Sequence, residues 1–285
     1  MASPHVDAEE AKRHDQLKFD TTRRPLAGRA ILIAGGTGGL GAATAALLIT
    51  EGAYPILGYR VNKGRAELVQ QQLQALYAGP VGLVQGDIRD ATARRRYVDD
   101  VLRAKNRIDG LVVFSGDPSR AKTEEMETDA FQQAILQNTV APLLLARDVA
   151  VAMRDRSTRG AIVIASSMQG TYPFENSLAY GTAKAALIHG AKILAKEFGG
   201  PGGVNVNVVA PGVTTAGMAR ASVDAGKYDA MIEGGVISRF GRPEDIGRLV
   251  RLLLDPESYI TGQVIVADGG LTLRRDLKAD PGEKG

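Results

Sequence analysis

One unit near the start of the chain restricts the fold more than any other. Residues 29–34 (RAILIA) form a short apolar run between Gly28 and Gly35. The run leads directly into GGTGGLG, and then into a helical stretch, AATAALLITEG, closed by Gly52. A continuous apolar run of that length, bounded by glycine, reads as a strand buried on both faces, as in parallel sheets. The same alternation continues along the chain. Further strands are expected at 54–59, 81–85, 108–114, 161–165, 204–209 and 263–267. Between them, helices are expected at 63–77, 91–105, 124–153, 177–198 and 243–254, the 124–153 stretch carrying Pro142 in its interior. Strands alternating with helices imply parallel pairing with right-handed crossovers. The expectation is α/β: one domain, a doubly wound seven-stranded parallel sheet with helices on both faces.

That domain spans 28–271. Residues 1–27 are polar and charge-mixed, and read as a mobile N-terminal extension, helical near 8–17; residues 272–285 read as a loose tail. The loop-rich region 213–240 reads as a lid over the substrate, with Met218, Met231, Ile232, Val236 and Ile237 either lining a pocket or packing helices.

Composition removes several function classes. The chain has no Cys and three His, of which His5 and His14 lie in the extension and the third is His189. Thiolate chemistry is therefore excluded, and no metal site is expected. The net charge of +3 comes from 35 basic and 32 acidic residues, with basic runs as short as Arg94-Arg95-Arg96. Nucleic-acid binding needs clustered basic residues on one face, so none is expected. No 18-residue apolar run and no apolar leader within the first 27 residues is visible. The expectation is a soluble cytoplasmic protein with no membrane contact.

Two stretches carry chemistry. In the first, Gly35, Gly39 and Gly41 follow the spacing G-x-x-x-G-x-G between a strand and a helix. Glycines there permit a sharp turn and close approach of backbone N–H groups to a pyrophosphate at a helix N-terminus. The second strand ends Gly58-Tyr59-Arg60, without the carboxylate that grips an unphosphorylated ribose. Arg60 instead offers a bidentate partner for a 2′-phosphate, supported by Lys63 and Arg65, so NADP(H) is favoured over NAD(H).

The second stretch is 167–184 (SMQGTYPFENSLAYGTAK). Tyr180 and Lys184, at i and i+4, share a helix face. An ammonium beside a phenol favours the phenolate, so the Tyr180 pKa is expected to fall from its usual value of about 10. Such a tyrosine is a general acid/base, with Ser167 a second donor to the reacting oxygen.

Together these motifs resemble the short-chain dehydrogenase/reductase family, a Rossmann fold. The resemblance runs from about Leu26 to Leu271. It rests on the glycine loop, Asp87-Ile88 after the third strand, Asn138, the Ser167/Tyr180/Lys184 set, Pro211-Gly212 after the sixth strand, and ESYITGQVIVADGG near the end. The pieces YGTAKAAL, VNVVAPG and YITGQVIVADGG are similar to the branch of 3-oxoacyl-(acyl-carrier-protein) reductases, and such pieces also occur in sugar, steroid and secondary-alcohol dehydrogenases.

The resemblance implies hydride transfer between a nicotinamide and a ketone or secondary alcohol. Tyr180 would be the general acid/base, Lys184 would lower its pKa and bind the nicotinamide ribose, and Ser167 would hold the carbonyl oxygen. Asn138 would position a water linking Lys184 to solvent. It assigns the cofactor to Gly35, Thr37, Gly38, Gly39, Leu40, Gly41, Arg60, Asp87, Ile88, Ser115, Gly116, Tyr180, Lys184, Pro211, Gly212, Val213 and Thr215. Met168 and Phe174 are further candidates for the substrate wall. A homotetramer or homodimer is implied. Two departures stand out. Val113-Phe114-Ser115-Gly116 replaces the usual Asn-Asn-Ala-Gly, and Ala216 stands where a threonine usually follows the proline, leaving Thr214 or Thr215 for the nicotinamide carboxamide. The first departure motivates a non-enzymatic alternative, an NADP-binding sensor or scaffold.

Overall fold

The computed structural model describes residues 7–19, 24–119, 121–201 and 203–274. Most of the tail, and much of the extension read as mobile, lie outside the described residues. Within the extension, α1 (Ala8–Asp15) is capped by the Asp7 carboxylate, which accepts the N–H groups of Glu9 and Glu10. Leu26, at the foot of the domain, is fully buried.

Seven parallel strands form one sheet: β1 (Ala30–Ala34), β2 (Tyr54–Tyr59), β3 (Gly82–Gln85), β4 (Gly110–Val113), β5 (Gly160–Ala165), β6 (Val204–Pro211) and β7 (Val264–Ala267). Their order is β3-β2-β1-β4-β5-β6-β7. Every expected strand is present, with ends shifted by at most two residues. The helices are α2 (Gly39–Thr50), α3 (Lys63–Tyr77), α4 (Ala91–Lys105), α5 (Thr128–Ile135), α6 (Ala141–Asp155), α7 (Leu178–Phe198), α8 (Arg220–Asp224), α9 (Ala230–Glu233), α10 (Pro243–Leu253) and α11 (Leu271–Arg274).

The central strands β1, β4 and β5 are apolar throughout because both faces are covered. Leu32, Leu111, Val113, Ile162 and Ile164 join a core with residues of α4, α6 and α7. Their neighbours Ile31, Ile33, Val112, Ala161 and Val163 point the other way, into a core with residues of α2 and α10. Successive side chains alternate across a sheet, so an unbroken apolar run supplies two cores at once. Asn205 and Asn207 interrupt β6 without exposing it. The Asn207 amide donates to the Ile260 carbonyl (2.8 Å) and its oxygen accepts the Gln263 N–H (3.0 Å), tying the approach to β7 onto β6.

The expected helix 124–153 is present as one helical run, Thr128–Asp155, but it is not regular. A short 3-10 turn (Thr123–Glu125) precedes α5, and a π turn (Leu136–Val140) separates α5 from α6. Pro142 is the cause. It has no N–H to give the carbonyl four residues earlier, that of Asn138, and its ring crowds that carbonyl. The wider turn, closed by Ala141 N–H to Leu136 carbonyl, absorbs the mismatch. The stretch Thr128–Asp155 is long and apolar enough to cross a membrane by composition, but Leu145, Ala146, Val149, Ala150 and Met153 are spent on the core.

Candidate active site

The strand order reverses between β1 and β4, and the loops leaving their C-terminal ends diverge there. Open α/β sheets bind ligands in such a crevice. Two cavities flank the 114–118 loop that follows β4, one of about 640 Å³ and one of about 240 Å³.

The smaller cavity is lined by Gly35 and Thr37 of the glycine loop, by Arg60, by Asp87, Ile88 and Arg89, and by Ser115 and Gly116. Gly35 has φ +79°, and a methyl group there would sit 3.1 Å from the Ser115 nitrogen. At Gly41 a methyl would fall 2.5 Å from the Gly35 carbonyl oxygen, so α2 can approach the turn only with glycine at this position. A methyl on Gly39 would collide with Ala216 at 2.8 Å. Gly38 begins α2 without a side-chain cap. The first N–H groups of the helix are therefore offered to an anion. The Ser115 hydroxyl is buried without a partner among the described residues. An uncapped helix start, a cradle that side chains would fill and an orphaned hydroxyl fit a dinucleotide.

Of the basic residues expected here, Arg60 lines this cavity and Lys63 and Arg65 do not. Arg65 leans back to the Thr37 carbonyl (3.2 Å), while Lys63 pairs with Glu67 on the exposed face of α3. Asp87 is gripped by Arg89 (2.5 Å), which holds its carboxyl below the usual range. Arg89 escaped the sequence reading, although it directly follows Asp87-Ile88. Its position is itself fixed, because buried Arg94 donates to the Ile88 and Arg89 carbonyls (2.8 and 3.1 Å).

The larger cavity brings together Ser167, Tyr180, Lys184, Leu40, Pro211, Gly212 and Val213. Ser167 lies two residues beyond the end of β5 and caps a 3-10 turn (Met168–Gly170). Tyr180 and Lys184 stand one turn apart on α7, with the Lys184 Nζ 5.7 Å from the Tyr180 ring centre. Two hydroxyls from other segments fix that turn. Thr139 of the π turn donates to the Ala183 carbonyl (2.6 Å), and Ser166 donates to the Lys184 carbonyl (3.0 Å). Gly170 lets the 3-10 turn lie against them, since a methyl there would be 2.8 Å from the Ser166 oxygen.

The expected fall in the Tyr180 pKa is not what the structure gives. Burial pushes the phenol up to about 12; the Ser167 hydroxyl opposes the rise and the Asp117 carboxylate adds to it. Lys184 is itself buried, its amine donates to the Ala165 carbonyl (3.0 Å), and desolvation lowers its pKa to about 8. An i,i+4 spacing puts the two groups on one face but says nothing of the dielectric around them, and here desolvation outweighs the pair.

Asn138 is fully buried, reached through the π turn. Its oxygen accepts the Asp117 N–H (3.0 Å) and its amide donates to the Ala134 carbonyl (3.1 Å). Gly116 passes so close that a methyl would lie 2.7 Å from that oxygen. The unusual β4 loop is thus pinned to Asn138. Thr215 is not brought to the cavity; its N–H and hydroxyl both turn to the Gly241 carbonyl (2.8 and 3.4 Å). Thr214 lines the cavity instead, its hydroxyl bonded to the Ala216 carbonyl (3.1 Å).

In the 213–240 region, Met218 lines the cavity, as do Met168 and Phe174. Ile237 is buried in a small core, with Met231 and Val236 packed on it, and Ile232 is exposed. Phe114, from the unusual loop after β4, also reaches the cavity, as do Gln169, Lys227 and Tyr228, which the sequence does not mark. The latter converge from separate segments, so no local pattern marks them. Among the described residues no cluster of potential ligands could hold a metal ion.

A family model described as "Enoyl-(Acyl carrier protein) reductase" matches residues 34–272. The chain is 28% identical over 254 residues to glucose 1-dehydrogenase of Gluconobacter oxydans, covering 88% of this chain and 95% of the relative. It is 30% identical over 249 residues to the 3-oxoacyl-(acyl-carrier-protein) reductase of Thermotoga maritima, covering 87% and 99%. A solved short-chain type dehydrogenase/reductase from Mycobacterium ulcerans superposes with a TM-score of 0.81 at 28% identity, covering 87% of this chain and 91% of that one.

Proposed function

This chain belongs to the short-chain dehydrogenase/reductase family, enzymes that act on CH–OH groups, and from that premise we propose that it is an NADP(H)-dependent ketoreductase of the 3-oxoacyl reductase type. The observation that carries the proposal is the larger cavity, where Ser167, Tyr180 and Lys184 meet on one wall beside the glycine cradle.

The nicotinamide, when bound, supplies the hydride. The protein's own groups handle the oxygen. Ser167 and Tyr180 donate hydrogen bonds to the substrate carbonyl, and the Tyr180 proton passes to that oxygen as negative charge develops on it. A positioned donor at such an oxygen contributes about 3 kcal/mol to the transition state. With its pKa pushed up to about 12, Tyr180 is a neutral phenol at physiological pH, ready to give a proton. Charged Lys184 beside it stabilises the phenolate left behind, and Asn138 orders the loop that closes over both. Gly35, Thr37, Gly38, Gly39, Leu40 and Gly41 hold the pyrophosphate, Asp87 and Ile88 the adenine, and Ser115, Gly116, Pro211, Gly212 and Val213 the nicotinamide half. Thr214 replaces Thr215 in that last set.

Phe114, Met168, Phe174, Val213 and Met218 give this cavity a substantial apolar lining. That composition favours an apolar ketone over a sugar. We place residues 28–271 in one catalytic domain with 213–240 as its lid, acting in the cytoplasm as a tetramer or dimer. A panel of ketones, 3-oxo esters, enoyl thioesters, sugars and steroids with NADPH and NADH tests the reading. NADPH oxidation with ketones or 3-oxo esters is the expected result. Turnover of sugars alone would overturn the substrate class, and no turnover at all would leave a sensor.

The preference for NADP(H) is supported by Arg60 and Arg89 beside a cavity whose only described carboxylates are Asp117 and the Arg89-bound Asp87. Replacing Arg60 by Asp removes a charge-assisted bond and adds repulsion, and should lower kcat/KM for NADPH about a hundredfold. NADH turnover should hold or rise. Steady-state kinetics with both cofactors checks this, and an unchanged ratio would contradict it.

A further inference from the structure

Gln169 has no role in the reading above. It follows Ser167 by two residues on the 3-10 turn, and its own N–H donates to the Ser167 hydroxyl oxygen (3.2 Å). Its side chain lines the larger cavity. The carboxamide is held in place, because the Ser177 hydroxyl donates to its oxygen at 2.5 Å. Ser177 is buried at the N-terminus of α7, three residues before Tyr180, so this bond ties the Ser167 turn to the Tyr180 helix. With the oxygen committed, the NH2 group is the end of the carboxamide that has no protein partner among the described residues.

The other polar side chains on this wall are differently placed. Lys122 pairs with Glu125 (3.0 Å), the Asn176 oxygen accepts the Thr123 N–H (3.3 Å), and Thr214 donates to Ala216. Glu175 and Lys227 are exposed at the mouth. Met168, Phe174 and Met218 line the same cavity as Gln169. A fixed donor in the cavity lining favours a ligand with an acceptor at that point, since an unmatched donor costs binding energy.

The geometry points to Gln169 as a specificity-determining residue that donates a hydrogen bond to a second oxygen of the substrate, next to the carbonyl being reduced. The substrate class is then a 1,3-dicarbonyl, a 3-oxo ester or thioester, rather than a simple ketone. This rests on the ketoreductase reading. Ser177 is a positioning residue that keeps the carboxamide oxygen turned away.

Ethyl 3-oxobutanoate and 2-heptanone have chains of equal length and differ in the ester oxygens. With NADPH, the wild-type enzyme should prefer the ester by about tenfold in kcat/KM, chiefly through KM. Gln169→Leu should bring the ratio close to one. Gln169→Glu, which replaces the donor with an acceptor, should bring it below one, and Ser177→Ala should reduce it in part. A ratio that all three variants leave at the wild-type value would overturn the inference. So would equal losses on both substrates, the mark of a purely structural residue. If the wild type reduces neither compound, the ketoreductase reading fails, and binding decides this one. On NADP-loaded protein, the ester should raise Tm more in wild type than in Gln169→Leu; equal shifts would contradict the inference.

Discussion

Tyr180→Phe should lower kcat by about a thousandfold while leaving the fold and NADPH affinity in place. General acid catalysis by a positioned side chain contributes about 10²–10⁴ in rate, and the substitution removes only the proton and its oxygen. The ring still fills the same space on α7, so stability should change little. Fluorescence titration with NADPH and single-turnover oxidation of the bound cofactor separate binding from chemistry. A variant that keeps more than about a tenth of the rate would mean that the proton comes from elsewhere, since that is the loss expected of a bystander hydrogen bond.

Lys184→Met should make the enzyme both slower and more stable. The slowing, about a hundredfold or more, reflects loss of the cation beside Tyr180. The stabilisation follows from burial. Desolvation holds the Lys184 pKa at about 8, below the ordinary lysine value of 10.5. Below pH 8 both folded and unfolded chains are protonated, and the folded chain bears the whole cost of the buried charge, about 3 kcal/mol. Between pH 8 and 10.5 the unfolded chain binds the proton that the folded chain has released, so stability at this residue rises with pH across that window. Methionine removes the cost and leaves the Ala165 carbonyl without its donor, which offsets about 1–2 kcal/mol. The net gain at pH 7 should be about 1–2 kcal/mol, a rise of a few degrees in Tm, and should shrink by pH 10. Denaturant melts at the two pH values check the sign; a variant less stable at pH 7 would contradict it. In the wild type, ketone reduction should fall as pH rises through about 8, where Lys184 loses its charge, while Tyr180, with its pKa pushed up to about 12, stays neutral.

The fold was legible because its causes are local. Most of the seven strands announce themselves as short apolar runs and the sixth as an alternating one, and the glycines at 35, 39 and 41 occupy positions where a side chain would crowd backbone or Ala216. The Tyr180/Lys184 pair was legible for the same reason, a spacing that any helix converts into proximity. What the sequence did not disclose depends on contacts between distant segments. The Tyr180 pKa moves opposite to the expectation because β5, the π turn and the 114–118 loop bury the pair. Pro142 was visible in the sequence, yet its effect, a π turn that carries Asn138 and Thr139 to α7, needed the helix to be packed against its neighbour. Thr214 and Thr215 are adjacent, and only the Gly241 carbonyl, 26 residues further on, decides which one faces the cavity. Gln169 and Tyr228 have no motif at all. They matter by convergence.

The central claim is hydride transfer to a ketone carbon with Tyr180 supplying the proton, and isotope labelling tests it most directly. The enzyme would be given ethyl 3-oxobutanoate and NADPH carrying deuterium at the transferable C4 position, and the product analysed by mass spectrometry and NMR. The account predicts a secondary alcohol with one deuterium on its carbinol carbon, formed by the wild type and lost with Tyr180→Phe. Deuterium found only when an enoyl thioester is supplied, on the carbon β to its carbonyl, with none entering the ketone, would contradict it.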